Sequence, residues 1–249
     1  YSRTDSDSRY VNHDSGTLGT DNFIAGNNAG DAITSGGNYN TLVGNEAGTA
    51  LTTGDNNVAI GFEALATEDT QGHSVAVGYQ ALKTQNSSAT SENTAVGYKA
   101  GTALTTGVES TFVGYEAGAA LTVGTNNTLI GGEAGKTMVG DNNNVAVGWG
   151  ALKVQTVGSS TATNNTAVGY GAGATVTTGQ QNSFFGLAAG AGCTTGEKNT
   201  FIGNKSGGDG TQTGNLNVGV GWEAGFNLTS GGNNIMVGHQ AGRAASPSG

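Results

Sequence analysis

The stretch Asn93-Thr-Ala-Val-Gly-Tyr-Lys-Ala-Gly-Thr-Ala-Leu-Thr-Thr-Gly-Val-Glu109 decides how the chain is read, because it recurs along nearly the whole length. Aligned on the glycine that follows each short apolar run, the anchors are Gly26, Gly44, Gly61, Gly78, Gly97, Gly114, Gly131, Gly148, Gly169, Gly186, Gly203, Gly221 and Gly238. Of the twelve spacings between these thirteen anchors, eight are 17 residues and the others are 18, 19, 21 and 18. Internal repetition at a fixed period marks a repeat architecture, and it has to be read before any local element.

Positions are counted from the anchor, minus before it and plus after it. Position −4 is Asn in eleven units and Ser in two, Ser74 and Ser110. Position −1 is apolar throughout, as in Val43, Ile60, Val96, Phe185 and Val237. Position +3 is Ala in twelve units, Ser206 excepted, and +4 is Gly in ten and Leu in three (Leu65, Leu82, Leu152). Position +7 is mainly apolar: Ile33, Leu51, Leu104, Leu121, Met138, Val176, Cys193, Leu228.

A unit of this length is too short for a pair of helices, and Gly, Asn and Thr disfavour helix interiors. Asn-Thr-Ala-Val-Gly alternates at the strand period, and Gly and Asn supply turns with positive φ. One unit therefore makes one coil, and like strands stack at roughly 4.8 Å. The expected fold is all-β: a parallel β-solenoid (β-roll) of about thirteen 17-residue coils, left-handed and trimeric. Its domains are 1–20 as an N-terminal linker, 21–242 as the solenoid and 243–249 as a tail. Thirteen coils give a rod of roughly 60 Å. The Asn column is expected to form an amide ladder, and the longer spacings to bulge as loops near 86–92 and 154–164.

With −1 assigned to the interior, position −2 has outward parity, yet it too is apolar or Gly in every unit. A lone soluble rod does not expose such a stripe, so Leu42, Phe112, Leu129, Phe184, Phe201 and Met236 are expected to pack against partner copies in a homotrimer. A coil wide enough to bury both columns is the alternative.

Position +1 carries Phe62, Tyr79, Tyr98, Tyr115, Trp149, Tyr170 and Trp222. Half-exposed aromatics with polar tips suit sugar stacking, which makes these the receptor or glycan-binding candidates, with a structural corner stack as the alternative. The Thr column at +8 (Thr34, Thr52, Thr105, Thr122, Thr156, Thr177, Thr194, Thr211, Thr229) raises an ice-binding solenoid as a rival, although β-propensity explains the same Thr.

No catalytic constellation is found. His13, His73 and His239 fall in different columns, and no Ser-His-Asp or Cys-His spacing stacks together. Glu46, Glu63, Glu116, Glu133 and Glu223 share position +2 and are read as solvated edge charge. Cys193, the only cysteine, is read as a buried inert thiol. No enzyme, cofactor or metal is expected. A net charge of −9 argues against a nucleic-acid partner. No apolar run is long enough to span a bilayer as a helix, so no membrane insertion is expected.

Two features resemble a known family. Tyr1-Ser-Arg-Thr-Asp-Ser-Asp-Ser-Arg-Tyr-Val11 is similar to Tyr-x-Lys-Thr-Glu-x-Asp-x-Arg-Tyr segments of bacteriophage tail fibres, with Arg3 for Lys and Asp5 for Glu. The repeat, as in Asn165-Thr-Ala-Val-Gly-Tyr170, is similar to phage fibre repeats and to the head repeats of trimeric autotransporter adhesins. The adhesin heads use shorter coils and carry coiled-coil heptads and an anchor barrel not seen here, which favours the phage fibre. The resemblance implies a structural, adhesive segment of a trimeric extracellular attachment fibre in the virion, spacing or presenting contacts to a host-surface glycan or protein. A bacterial surface adhesin head is the alternative. It also implies that an end at Ser246-Pro-Ser-Gly249 would suit removal of a self-cleaving chaperone domain.

Overall fold

The structure, a computed structural model, describes residues 12–13, 19–157, 161–208 and 210–243. The Tyr1–Val11 segment, residues 14–18 of the linker, residues 158–160 of the second loop and nearly all of the 243–249 tail lie outside them.

Thirteen three-residue strands, from Phe23–Ala25 to Ile235–Val237, pair parallel and in order to form one sheet. Register follows the repeat: Thr94 pairs with Thr111, Ala95 with Phe112 and Val96 with Val113, and the next step puts Thr111 on Thr128. The fold is a β-solenoid with one strand per coil, and no helix occurs among the described residues. The first edge is covered by Asn12–His13, which pairs antiparallel with Phe23 and Ile24. A second small sheet joins Asp141–Asn142 to Thr161–Ala162, so part of the 154–164 loop is tied to the coil below it.

Between strands the chain turns twice in quick succession. The Ala117 amide donates to the Gly114 carbonyl at 3.4 Å, and the Leu121 amide donates to the Gly118 carbonyl at 3.0 Å. The anchor needs glycine for two reasons. Gly114 has φ 134°, and a Cβ there would lie 2.6 Å from the carbonyl of Gly131 in the next coil. L-residues avoid that φ, and no side chain fits between two backbones so close.

The Asn column forms the expected ladder, with two distinct jobs per side chain. Asn182 Nδ2 donates across its own coil to the Gly196 carbonyl at 2.9 Å. Asn182 Oδ1 accepts the backbone N–H of Asn199 in the next coil at 2.9 Å. Asn93, Ser110 and Asn127 form one axial row: Ser110 N–H donates to Asn93 Oδ1 at 2.9 Å, and Asn127 N–H donates to Ser110 Oγ at 3.1 Å. A buried backbone N–H without a partner would cost about 1–3 kcal/mol per coil, so the column is a structural necessity.

The inside–outside assignment of the strand is the reverse of the one expected. The middle residue of every strand, position −2, is buried, and −1 faces out. Leu42, Phe112, Leu129, Phe184 and Phe201 are wholly enclosed by their own chain and Met236 nearly so. They fill the core of the coil and present almost no surface outward. Ile60, Val96, Ile130, Phe185, Ile202 and Val237, at −1, are exposed. The reason is volume. The coil's interior is narrow and is shared by −2, the small Ala at +3, and whatever stands at +4 and +7. Where +4 is Leu (Leu65, Leu82, Leu152), −2 is Ala (Ala59, Ala76, Ala146) and +7 is polar (Glu68, Gln85, Gln155). Where Ala95 and Gly101 leave a coil thin, Leu82 from below and Phe112 from above close in, and a Cβ on Gly101 would sit 2.9 and 3.0 Å from them. Leu152 and Phe184 do the same around Gly173. Close packing of this kind leaves no room for −1 as well.

Candidate functional site

Position +1 lies just past the anchor, where the chain turns the corner, so its side chains project outward and stack coil on coil. Phe62, Tyr79, Tyr98 and Tyr115 form a continuous ladder with ring centroids 5.3, 5.2 and 5.4 Å apart and planes within 14°. Trp149 stacks on Tyr170 at 5.1 Å and Trp222 on His239 at 4.8 Å. All seven predicted aromatics are 40–59% exposed. Their surroundings differ from the expected picture of free sugar platforms. Inside each ladder the ring faces cover one another, leaving edges and phenol hydroxyls to solvent. Free ring faces remain only where a ladder ends.

A charged zipper flanks this column. Glu at +2 pairs with Lys or Arg at +5 of the following coil: Glu63 with Lys83 at 2.6 Å, Glu116 with Lys136 at 2.6 Å, Glu133 with Lys153 at 2.6 Å and Glu223 with Arg243 at 2.9 Å. Lys136 also bonds Glu133 at 2.8 Å. The hydrogen bond from Lys83 holds the Glu63 carboxyl below its usual range, and the one from Lys136 does the same for Glu133. Lys136, held by Glu116 and Glu133, is raised above an ordinary lysine. The negative charge of Glu116 raises the Tyr115 phenol. Lys99 Nζ and Lys153 Nζ lie 5.4 and 5.3 Å from the rings of Tyr98 and Trp149. These pairs are partly solvated and add little stability each, but they fix the rim beside the rings. The reading of this column as merely solvated charge missed the partners because they lie on the next coil.

The outward face of the sheet is a second candidate surface. Column −1 is apolar in all thirteen strands, Val, Ile or Phe except for Ala25, and column −3 is Thr or Ser in seven strands and Val, Ile or Phe in six. Ile60, Val96, Ile130, Phe185 and Ile202 of this face are exposed, whereas the −2 residues of the same strands are buried.

The other chemistry-bearing groups are structural. The hydroxyls of the +8 Thr column donate along the axis: Thr105 to the Thr122 carbonyl at 2.9 Å, Thr122 to Val139 at 2.9 Å and Thr177 to Thr194 at 3.1 Å. Thr34, Thr52 and Thr194 donate in the same way, so six of the nine hydroxyls in this column are bonded to backbone carbonyls. Cys193 is buried, and burial pushes its thiol up to about 12. His73 is exposed and His239 belongs to the Trp222 stack. Among the described residues no group of His, Cys, Asp and Glu is arranged to hold a metal ion. No described helix is long and apolar enough to cross a membrane.

Sequence reasoning missed one buried cluster. Glu68 is fully enclosed and accepts from Gln85 Nε2 at 2.8 Å and Ser91 Oγ at 3.3 Å. Gln85 in turn donates to Ser74 Oγ at 2.9 Å and accepts from Asn93 Nδ2 at 2.9 Å. Gln155 repeats the motif, accepting from Asn165 Nδ2 at 2.9 Å and donating to Thr163 Oγ1 at 2.8 Å. The signal was present: each of these polar residues sits three after a Leu that has replaced the +4 Gly.

Comparison with family models, curated proteins and solved structures finds no match to this chain.

Proposed function

We propose that the chain is a non-enzymatic rod segment of an extracellular attachment fibre, assembled as a homotrimer and serving to space or present contacts to a host surface. The observation that carries this reading is the outward sheet face, whose −1 column is apolar in every coil and runs unbroken along the stack beside a mixed Thr and aliphatic −3 column. A stripe roughly 60 Å long and about 10 Å wide offers on the order of 600 Å² before side-chain relief and flanking residues are added. That approaches the ~800 Å² a stable interface takes from each partner, and soluble monomers rarely leave so much apolar surface bare. The alternation of exposed −1 residues with anchor glycines gives every copy the same surface, which suits cyclic packing around one axis. The resemblance of the repeat, and of Tyr1–Val11, to phage tail fibres supports the setting in a virion. Three copies on one rod raise avidity without any new contact.

Light scattering on the purified chain tests the assembly. A mass of three chains at micromolar concentration supports it, and Val96→Lys with Ile130→Lys should then give monomers with unchanged far-UV circular dichroism. A monomeric parent chain would overturn the reading.

A further inference from the structure

The aromatic column contains one gap with a ring on each side. From Phe62 to Tyr170, position +1 is aromatic in every coil except one, where Gly132 stands between Tyr115 and Trp149. Tyr98 covers one face of Tyr115 at 5.4 Å, and Tyr170 covers one face of Trp149 at 5.1 Å. The remaining faces of these two rings therefore lie on either side of the Gly132 coil. Two strand steps separate them by roughly 10 Å. A single six-membered ring laid between them would sit about 5 Å from each, the separation that the ladder itself uses.

The rim of this gap is polar and already organised. Glu116 and Glu133 are on the coils of Tyr115 and Gly132, Lys136 bridges both carboxylates at 2.6 and 2.8 Å, and Lys153 joins Glu133 at 2.6 Å while lying 5.3 Å from the Trp149 ring. The indole leans over Gly132: its Cδ1 and Nε1 are 2.9 and 3.4 Å from where a Cβ would stand. The absent side chain is therefore what gives the Trp149 wall its position.

We propose that the gap between Tyr115 and Trp149 is a binding site for one pyranose ring of a glycan. A pyranose has C–H faces that stack on aromatic rings and a hydroxyl edge that needs donors and acceptors. The gap presents two ring faces, with carboxylates to accept from hydroxyls and ammonium groups to donate to them. A flat aromatic ligand would use the faces but leave the charged rim without a role. The inference rests on the attachment reading for its purpose and names the ligand class and the place. It also separates the seven aromatics: Tyr115 and Trp149 touch the sugar, while Phe62, Tyr79, Tyr98 and Tyr170 support those two rings from behind.

The test uses the full chain on a glycan array, followed by tryptophan-fluorescence titration with methyl glycosides of the hexoses up to about 10 mM, beyond the millimolar range of one stacked ring. Gly132→Tyr fills the gap with the residue type that neighbouring coils carry at this position; the backbone at 132 has no positive φ to oppose it, but its Cβ would meet the Trp149 indole at 2.9 Å and so also displaces that ring. Wild type should bind, Gly132→Tyr and Trp149→Ala should weaken binding about tenfold or more, and Leu187→Ala, in the same column but away from the gap, should leave it unchanged. Circular dichroism confirms that each variant is folded. Undiminished binding by Gly132→Tyr overturns the site. So does the absence of any binding by wild type across the array and titration. Either result leaves the trimer to stand or fall on its mass alone.

Discussion

Leu129 and Ile130 are neighbours in one strand and belong to different worlds: Leu129 is fully enclosed by its own coil, and Ile130 is 36% exposed on the outward face. Their opposition holds in every coil and separates the surface available for contact from the surface that holds the rod together. Leu129→Ala should cost about 2–5 kcal/mol in urea unfolding, because the lost methyl groups leave a cavity beside Gly118 and Gly135, both packed on that side chain. Ile130→Ala should cost less than about 1 kcal/mol in the isolated chain. Equal costs would mean that the core has been assigned to the wrong column.

Much of the architecture is legible from the repeat, and the place where the reading fails is instructive. The coil length, the parallel register, the Asn ladder and the glycine anchors all follow from period and residue type, because each rests on backbone geometry that only a few residues satisfy. The inward face of the strand does not follow from residue type, since Ala95 and Val96 are both apolar and β-propensity favours Val on either side. The size relation between −2 and +4 does decide it: Leu65, Leu82 and Leu152 each accompany an Ala at −2 because the two positions share one space. The stacking partners of the rings and the Glu–Lys zipper were hidden for a different reason. They join residues on successive coils, and only the alignment of whole coils, extended across columns, places Glu116 beside Lys136.

The amide ladder makes a graded prediction. Asn182→Ala removes the acceptor for Asn199 N–H and the donor to the Gly196 carbonyl, and also the bond from Asn199 Nδ2 at 3.2 Å. Two buried backbone groups lose their partners, so a loss of about 2–4 kcal/mol is expected. Asn182→Ser should cost roughly half of that, because Ser110 already holds the axial bond at this column position with its hydroxyl. Denaturant unfolding of the two variants beside wild type checks the order, and a serine as damaging as alanine would remove the ladder from the account.

Glu68 provides a pH dependence with a definite sign. Its carboxyl is enclosed among Gln85, Ser91 and the Gln71 amide, and no cation among the described residues bonds to it. Burial raises its pKa above the usual value, and the hydrogen bonds from Gln85, the Gln71 backbone and Ser91 offset only part of that. A raised folded-state pKa means that the native chain holds the proton more tightly than the unfolded one. Stability from this group is complete below the ordinary carboxyl range and is lost as pH rises through the raised value. Glu63 and Glu133, with lowered pKa, act in the opposite sense and lose their contribution as pH falls. Glu68→Gln isolates the first effect, because it places at +7 the residue already found there as Gln85 and Gln155 and gives up charge-assisted acceptance from the Gln71 and Asp69 amides, the former at 3.3 Å. Urea unfolding at pH 8 should show the variant more stable than wild type, and the advantage should shrink toward pH 4 as the wild-type carboxyl takes up its proton. A difference that stays constant between the two pH values would show that the Glu68 pKa is the same in the folded and unfolded chains, and would overturn the raised value.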